Sequence, residues 1–275
     1  MRTGEVKRMV LSEIHVYPVK SCAGIALERA RLGARGIRHD RHWMAVGADG
    51  GFLSQRQHPA MALIRTALTP GGVRLEAPGV APLELPLADP SPPWVEVGIW
   101  GDRCQAGFMG EAAARWISRY LRVPARLVCL PATQCRQVDL RYAREGGQVG
   151  FADGFPLLLI SRASLEDLNA RLGEPLPMAR FRPNLVVDGC AAYAEDCWRR
   201  IRIGGIELRL VKPCSRCQVI TVDQATGRPG GEPLRTLARY RARDNKVFFG
   251  QNLIHMMEGE LATGMPIEVL EHAGE

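Results

Sequence analysis

The chain has 275 residues, 46% of them hydrophobic, which is enough for one large or two small packed cores, and no apolar run reaches the length of a membrane span. Its net charge of +7 and pI of about 9.2 come from dispersed arginines with no basic tract and no basic–aromatic interleaving. A small anionic ligand therefore accounts for the excess better than nucleic acid does. Aromatic residues make up only 6% while Gly (29) and Pro (19) are plentiful, a balance that favours short strands and turns over long helices. There are eight cysteines and no signal-type apolar region after residues 1–8, which predicts reduced thiols and a soluble, cytoplasmic protein. Cys104, Cys129, Cys135, Cys190 and Cys197 read as small apolar fillers or incidental surface thiols.

In chain order, a first strand is predicted at 14–19, delivering Lys20-Ser21-Cys22-Ala23-Gly24 to a turn. A lysine and a hydroxyl at a strand end can contact an anion, although a lysine after a strand is commonly just solvated. Residues 38–46 rise into a strand, turn through Ala48-Asp49-Gly50-Gly51 and return through 52–56, with Asp-Gly as the hairpin signal. His39, His42 and His58 do not fall at metal-ligand spacing. A further hairpin pairs 63–68 with 73–77, and proline crowds 78–93 into an irregular surface loop. Strands follow at 94–100 and 104–108. A helix is predicted at 111–121, where Ala113, Trp116, Ile117, Tyr120 and Leu121 recur at helical spacing, and a strand at 126–130 closes this half.

After a polar stretch at 134–149, residues 151–161 lead to a short helix ending at Leu172. Ser161 and Ser164 at its start serve as caps or, in principle, as an anion site. Residues 180–187 read as a strand whose alternation aims Arg180, Arg182 and Asn184 at one face, opposite Phe181 and Leu185. That face is either a solvent-facing strand edge or a phosphate contact, for which an arginine fork and an amide are suited. Residues 202–212, broken by Gly204-Gly205, form a hairpin, and 264–270 is a last strand. Internal repeats and low-complexity tracts are absent from the sequence.

The hairpin delivers Lys212-Pro213-Cys214-Ser215-Arg216-Cys217, an electropositive setting in which a cysteine is readily held as thiolate. A thioredoxin-like site needs its second cysteine in the first turns of a helix, whereas here the β-branched Val219, Ile220, Thr221 and Val222 predict a strand. A structural zinc needs two more ligands, and Cys190 and Cys197 stand too far apart for a zinc knuckle. Two inert thiols at a buried strand end are the bland alternative.

The run Lys-Pro-Cys-Ser-Arg-Cys-x-x-x-Thr-Val-Asp-x-x-Thr-Gly at 212–227, with Gly-Glu-Pro-Leu at 231–234 and Phe249-Gly250-Gln251-Asn252, resembles the MOSC domain of the amidoxime-reducing molybdoenzymes. These form the family of bacterial YcbX and the mitochondrial amidoxime reducing component. Tyr-Pro-Val-Lys-Ser-Cys-x-Gly at 17–24, Asp40-Arg41-x-Trp43 and Phe-Arg-Pro-Asn at 181–184 are similar to the family's other motifs. The resemblance implies a mostly β (α+β) fold with an N-terminal MOSC β-barrel domain at 10–130 and a MOSC β-barrel domain at 131–272. It implies a molybdenum–molybdopterin cofactor (Mo-MPT) with Cys217 as the protein ligand of the metal.

By the same resemblance Lys20 and Ser21 contact the pterin phosphate, and Arg41, Arg182, Asn184, Ser215 and Arg216 are further cofactor contacts. Asp153 is another, followed by Gly154 and Phe155 where the mitochondrial protein has hydroxylic residues. Arg216 and Lys212 are expected to help keep Cys217 as thiolate. The implied activity is reduction of N-oxygenated compounds such as amidoximes and N-hydroxylated bases. A sulfur or cofactor carrier using Cys217 is the alternative, and a zinc-stapled binding module a third reading. The sequence has neither a plant-type C-x4-C-x2-C run nor a dinucleotide-binding Gly-x-Gly-x-x-Gly after a strand. The chain is thus expected to be a terminal component fed by a separate haem, iron–sulfur or flavin protein, with no nucleic-acid or membrane partner.

Overall fold

The computed structural model describes residues 8–87 and 93–274. The leading residues 1–7, read above for a signal, and part of the proline-rich loop lie outside them. The first segment forms β1 (Val10–Val16), β2 (Ile25–Leu27), β3 (Arg29–Gly33), β4 (Gly36–Ile37) and β5 (Trp43–Val46). β6 (Arg65–Thr69), β7 (Gly72–Glu76), β8 (Leu83–Pro86), β9 (Trp94–Ile99) and β10 (Asp102–Phe108) lead to α1 (Glu111–Leu121) and β11 (Arg126–Cys129). Next come β12 (Leu157–Ser161), α2 (Arg162–Asn169), β13 (Leu185–Asp188), β14 (Trp198–Ile203) and β15 (Ile206–Arg216). α3 (Leu234–Ala238), β16 (Ala242–Arg243), β17 (Lys246–His255), β18 (Gly259–Ala262) and β19 (Ile267–His272) complete the chain. The mostly β, α+β class expected from composition and from the resemblance is what the chain adopts. No helix among the described residues is long and apolar enough to cross a membrane.

The largest sheet runs β19-β14-β15-β17-β12-β13-β1-β2, with β16 beside β17. Its one parallel pair, β12 with β13, is joined by the crossover containing α2, as parallel strands require. The other sheets are β5-β11-β10-β9, β6-β7-β8 and β18-β3-β4. α1 buries Ala113, Trp116, Ile117 and Leu121 against β5, β7 and β11, as its periodicity predicts, and Tyr120 donates its hydroxyl to the Ala60 carbonyl at 2.9 Å.

β1 lies between β2 and β13, so the first strand completes the sheet of the second half. Leu11, Ile14 and Val16 pack in one core with Leu157, Leu185, Leu208 and Leu253. A cut between residues 130 and 131 divides this sheet.

Several local readings differ from the structure, among them the return at 52–56, which only bridges Val46 through Phe52. The segment expected as strand from Arg180 is a 3-10 turn (Met178–Arg180) followed by a left-handed Arg182, and pairing starts only at Leu185. Pro183 has no N–H for a ladder, which keeps it out of one. The β-branched residues after Cys217 form a 3-10 turn (Gln218–Thr221), in which Thr221 Oγ1 donates to the Gln218 carbonyl at 2.8 Å. There, local hydrogen bonding overrides strand propensity. The loop at 78–93 contributes β8 to a sheet.

Because β1 shares its core with the second half, Leu11→Ala, at a site with no exposed surface, is expected to cost about 2–5 kcal/mol. Thermal unfolding should lower in one transition. A variant in which one half melts early and the other keeps the wild-type midpoint would show that the halves fold independently.

Candidate functional site

Where β1 ends, its continuation is tied to the segment before β5. Tyr17 N donates to Asp40 Oδ1 (2.8 Å), Arg41 N to the Tyr17 carbonyl (2.8 Å) and Lys20 N to the Trp43 carbonyl (2.8 Å). The buried Tyr17 ring then lies within 4.3 Å of two guanidinium carbons, those of Arg41 and Arg182. Its hydroxyl donates to the Pro183 carbonyl at 3.1 Å, and burial pushes its pKa up to about 12. Gly24 makes room for the ring, since a Cβ there would sit 2.4 Å from Tyr17 Cε1.

Arg41 is well satisfied, donating to Asp40 Oδ2 (2.6 Å), Asn184 Oδ1 (3.1 Å) and the Arg182 carbonyl (3.3 Å). Arg182 is not. Burial lowers its pKa to about 10, and its buried Nη2 has no hydrogen-bond partner. Ser21, Arg41 and Arg182 all have positive φ (68°, 45° and 57°), a conformation costing on the order of 1 kcal/mol or more for a non-glycine residue. Such strain persists only where the surrounding contacts enforce it.

Lys20 is buried beside this cluster and donates to the Phe151 carbonyl (2.8 Å) and to Asp153 Oδ1 (2.5 Å). Burial lowers the lysine's pKa, and the Asp153 charge opposes that shift. Partial enclosure would raise Asp153, but the Lys20 ammonium and the Trp100 indole N–H outweigh it and hold the carboxyl well below the usual range. The loop bearing Asp153 is clamped by Arg136, which donates to Asp102 Oδ2 (2.9 Å) and to the carbonyls of Gly150 (2.7 Å), Ala152 and Asp153 (3.1 Å). A Cβ on Gly150 would come within 2.9 Å of the Asp40 carbonyl and 3.0 Å of that of Arg41. The loop therefore docks on the Asp40–Arg41 backbone, where Phe151 N donates to the Arg41 carbonyl at 2.7 Å.

β15 brings the cysteine pair to the same place. Cys217 is exposed at the strand's end, opening the 3-10 turn. Arg216 places Nη2 on the Phe181 carbonyl (2.6 Å), next to Arg182, and Nη1 on Cys214 Sγ (3.0 Å). The two side chains expected to attend Cys217 have other partners: the guanidinium bonds to Cys214, and Lys212 Nζ lies over Tyr142 (5.2 Å) and Phe155 (6.0 Å). Following the pair, Asp223 Oδ1 accepts from Ala225 N, Thr226 N and Thr226 Oγ1, which gives the Asp-x-x-Thr-Gly run its turn. Gln224 exchanges amide hydrogen bonds with Gln55 (3.2 and 3.0 Å), and Gln55 donates to the Ser21 carbonyl (2.7 Å).

Lys20, Ser21, Arg41, Asp153, Arg182 and Arg216 are therefore linked through hydrogen bonds, ring contacts and neighbouring residues, Cys217 follows Arg216 in the chain, and the charges of Arg182, Arg41 and Arg216 all act on Tyr17. The remaining candidates behave differently. Asn184 spends its side chain internally, accepting from Leu158 N (3.2 Å) and donating to the His15 carbonyl (3.2 Å) besides holding Arg41. Arg180 does not share a face with Arg182. It turns to the Thr221 carbonyl (3.3 Å) and Asp223 Oδ2 (2.9 Å), where it secures the turn after the cysteines. Phe155 packs edge-on against Tyr142 at 5.4 Å, Gly154 has open space at its Cβ position, and Ser215 is exposed opposite Phe248. Ser161 caps α2, and with Ser164 it donates to the buried Glu195 carboxyl rather than opening to a ligand.

Sequence reasoning missed Tyr17, Arg136, Gln55 and Gln224. Tyr17 stood inside a quoted motif, but the other three carry no local signal. Among the described residues no three His, Cys, Asp or Glu side chains come together to hold a metal, which leaves a zinc staple without a ligand set.

An unpaired buried N–H on a charged group is a cost in the protein alone and an asset toward an anion. Arg182→Met is expected to leave the ligand-free protein as stable or to stabilise it by up to about 3 kcal/mol. Inorganic phosphate is expected to raise the melting temperature of the parent but not that of this variant. A strongly destabilised Arg182→Met variant would instead mark the guanidinium as a structural bolt.

With this geometry in place, comparisons with known proteins agree. Residues 8–124 match the MOSC N-terminal beta barrel domain and residues 146–268 the MOSC domain. The chain is 34% identical to mouse mitochondrial amidoxime-reducing component 1 and 35% identical to the human protein, in each case over 94% of this chain and 82% of the relative. It is also 34% identical to the molybdenum cofactor sulfurase of rice, over 92% of this chain and 34% of that protein. The chain belongs to the MOSC-domain family that includes the mitochondrial amidoxime-reducing components.

Proposed function

We propose that the chain is a molybdenum-cofactor-dependent reductase of N-oxygenated compounds, with amidoximes and N-hydroxylated bases as substrates. The observation that carries this reading is the coincidence of a buried surplus of cation, including the unpartnered Nη2 of Arg182, with one exposed thiol at Cys217. A phosphate-bearing, thiolate-ligated group fits such a donor set, and the name of the rice relative, a molybdenum cofactor sulfurase, supports a molybdenum cofactor as that group.

Lys20, Ser21, Arg41 and Arg182 would hold the pterin and its phosphate, and Cys217 would give its sulfur to the metal. The cofactor supplies two-electron redox chemistry coupled to exchange of an oxygen ligand, which no side chain offers. The chain orients the group. Arg41 is fixed by Asp40 and Asn184, Arg182 by the Tyr17 ring, and Lys20 by the loop that Arg136 clamps. Arg216 spans the Phe181 carbonyl and Cys214, so it braces the approach of β15 to Arg182 rather than attending Cys217. Electrons would come from a separate haem, iron–sulfur or flavin protein, drawn by the net positive charge. The similarity to a cofactor sulfurase favours one further reading, a carrier that holds sulfur or maturing cofactor on Cys217. A persulfide on Cys217 with no turnover would mark the carrier.

Cys217→Ala is expected to abolish amidoxime reduction and to lower bound molybdenum, whereas Cys214→Ala keeps substantial activity. Metal analysis and turnover of the two variants check this, and tolerance of the Cys217 change would remove the thiol from the reaction.

Purified cofactor-loaded protein should reduce an amidoxime with a chemically reduced viologen dye and fail with NADH or NADPH alone. Turnover on NADH without an added protein would reveal an internal redox centre.

A further inference from the structure

Trp100 is 56% exposed, yet it is fixed on every side that the protein can reach. It occupies the two-residue turn Trp100-Gly101 between β9 and β10 with a φ of 54°, a strained value for so large a side chain. Its indole N–H donates to Asp153 Oδ1 at 3.1 Å, the same oxygen that Lys20 Nζ holds at 2.5 Å. The Arg56 guanidinium carbon lies 4.3 Å from the ring, and Phe52 meets it at 5.4 Å with the planes inclined by 60°. Lys20 Nζ in turn lies 5.0 Å from the Phe52 centroid. Gln55, next to Arg56, bonds to the Ser21 carbonyl and to Gln224 in the turn after Cys217. The tryptophan is therefore joined to the cation cluster directly, and through Arg56 and its neighbour Gln55 to the turn that follows Cys217.

An aromatic face left in water, with its edge, nitrogen and orientation set beforehand, offers stacking at little ordering cost. Trp94, Leu140, Met256 and Met257 are also exposed, but the bond to Asp153 ties Trp100 directly to a residue of the site. We propose that Trp100, held by Asp153, Arg56 and Phe52, is the specificity wall of the site and takes the flat aromatic ring of an N-oxygenated substrate. This rests on the reductase reading given above. The Arg56 charge beside the ring favours a neutral or electron-rich group and disfavours a cationic one. An amidoxime is neutral at pH 7, whereas the amidine formed from it is protonated. The wall accordingly prefers substrate to product.

The test compares benzamidoxime with acetamidoxime, using cofactor-loaded wild type, Trp100→Leu and Trp100→Phe with reduced viologen as donor. For Trp100→Leu the rise in KM for benzamidoxime should exceed that for acetamidoxime about five- to tenfold, with kcat for the two substrates falling by a similar factor. Trp100→Phe, which keeps a ring but loses the indole N–H, should retain most of the preference. A parallel titration of tryptophan fluorescence with benzamidoxime in the absence of donor should show quenching that Trp100→Phe loses. Equal effects of Trp100→Leu on both substrates, loss of the preference in Trp100→Phe, or unchanged quenching in that variant would each overturn the inference. If wild type reduces neither amidoxime the reductase reading fails, and the fluorescence titration still decides whether Trp100 binds the ring.

Discussion

The structure around the site depends on one stack: the Tyr17 ring between the guanidinium groups of Arg41 and Arg182, both 4.3 Å from its centroid. Two like charges so close would repel, and the negative faces of the ring let each cation see an attraction in place of its neighbour. The stack also fixes chain paths. Tyr17 follows β1, Arg41 precedes β5, and Arg182 precedes β13, so three segments far apart in sequence meet on one ring. Gly24 and Gly150 make that meeting possible, each by leaving a position where a side chain would collide.

The compensation of charge is uneven. Arg41 has Asp40 and Asn184, Lys20 has Asp153, and Arg136 has Asp102 with three carbonyls. Arg182 has an aromatic face and an unsatisfied N–H, and Arg216 carries a buried unpartnered Nε. Leaving a buried N–H of a charged group unpaired is destabilising, and the unpaired atoms of the adjoining Arg182 and Arg216 are the ones a bound anion could satisfy. The left-handed backbone at Ser21, Arg41 and Arg182 is consistent with that, since strain collected at one place is a mark of function.

Asn184 shows that a position within a motif does not by itself give the side chain's task. It sits in the Phe-Arg-Pro-Asn run beside Arg182, but its amide joins β1 to β12 and aims Arg41. Arg180, two residues before Arg182, was expected beside it and instead pins Asp223. The two part because the backbone at Arg182 is left-handed and Pro183 cannot pair, which breaks the alternation that a strand would impose. Trp100, Gln55 and Arg136 were silent in the sequence, because what they do depends on partners dozens of residues away.

By itself the sequence determined the strand-rich class, the span of α1, the hairpin that carries the cysteines and the motifs at Lys20, Arg41, Arg182 and Cys217. The class, the helix and the hairpin follow from period, turn chemistry and residue type, which act over a few positions, and the motifs from their resemblance to a family. Tertiary structure decided the rest. It put β1 into the sheet of the second half, turned the residues after Cys217 into a 3-10 turn, gave Arg216 to Cys214 and left Arg182 partly unpaired. The place of β1 and the state of Arg182 are set by which distant group fills a hydrogen bond or a ring face, which spacing along the chain does not encode, whereas the turn after Cys217 and the Arg216–Cys214 bond are local contacts that override strand propensity.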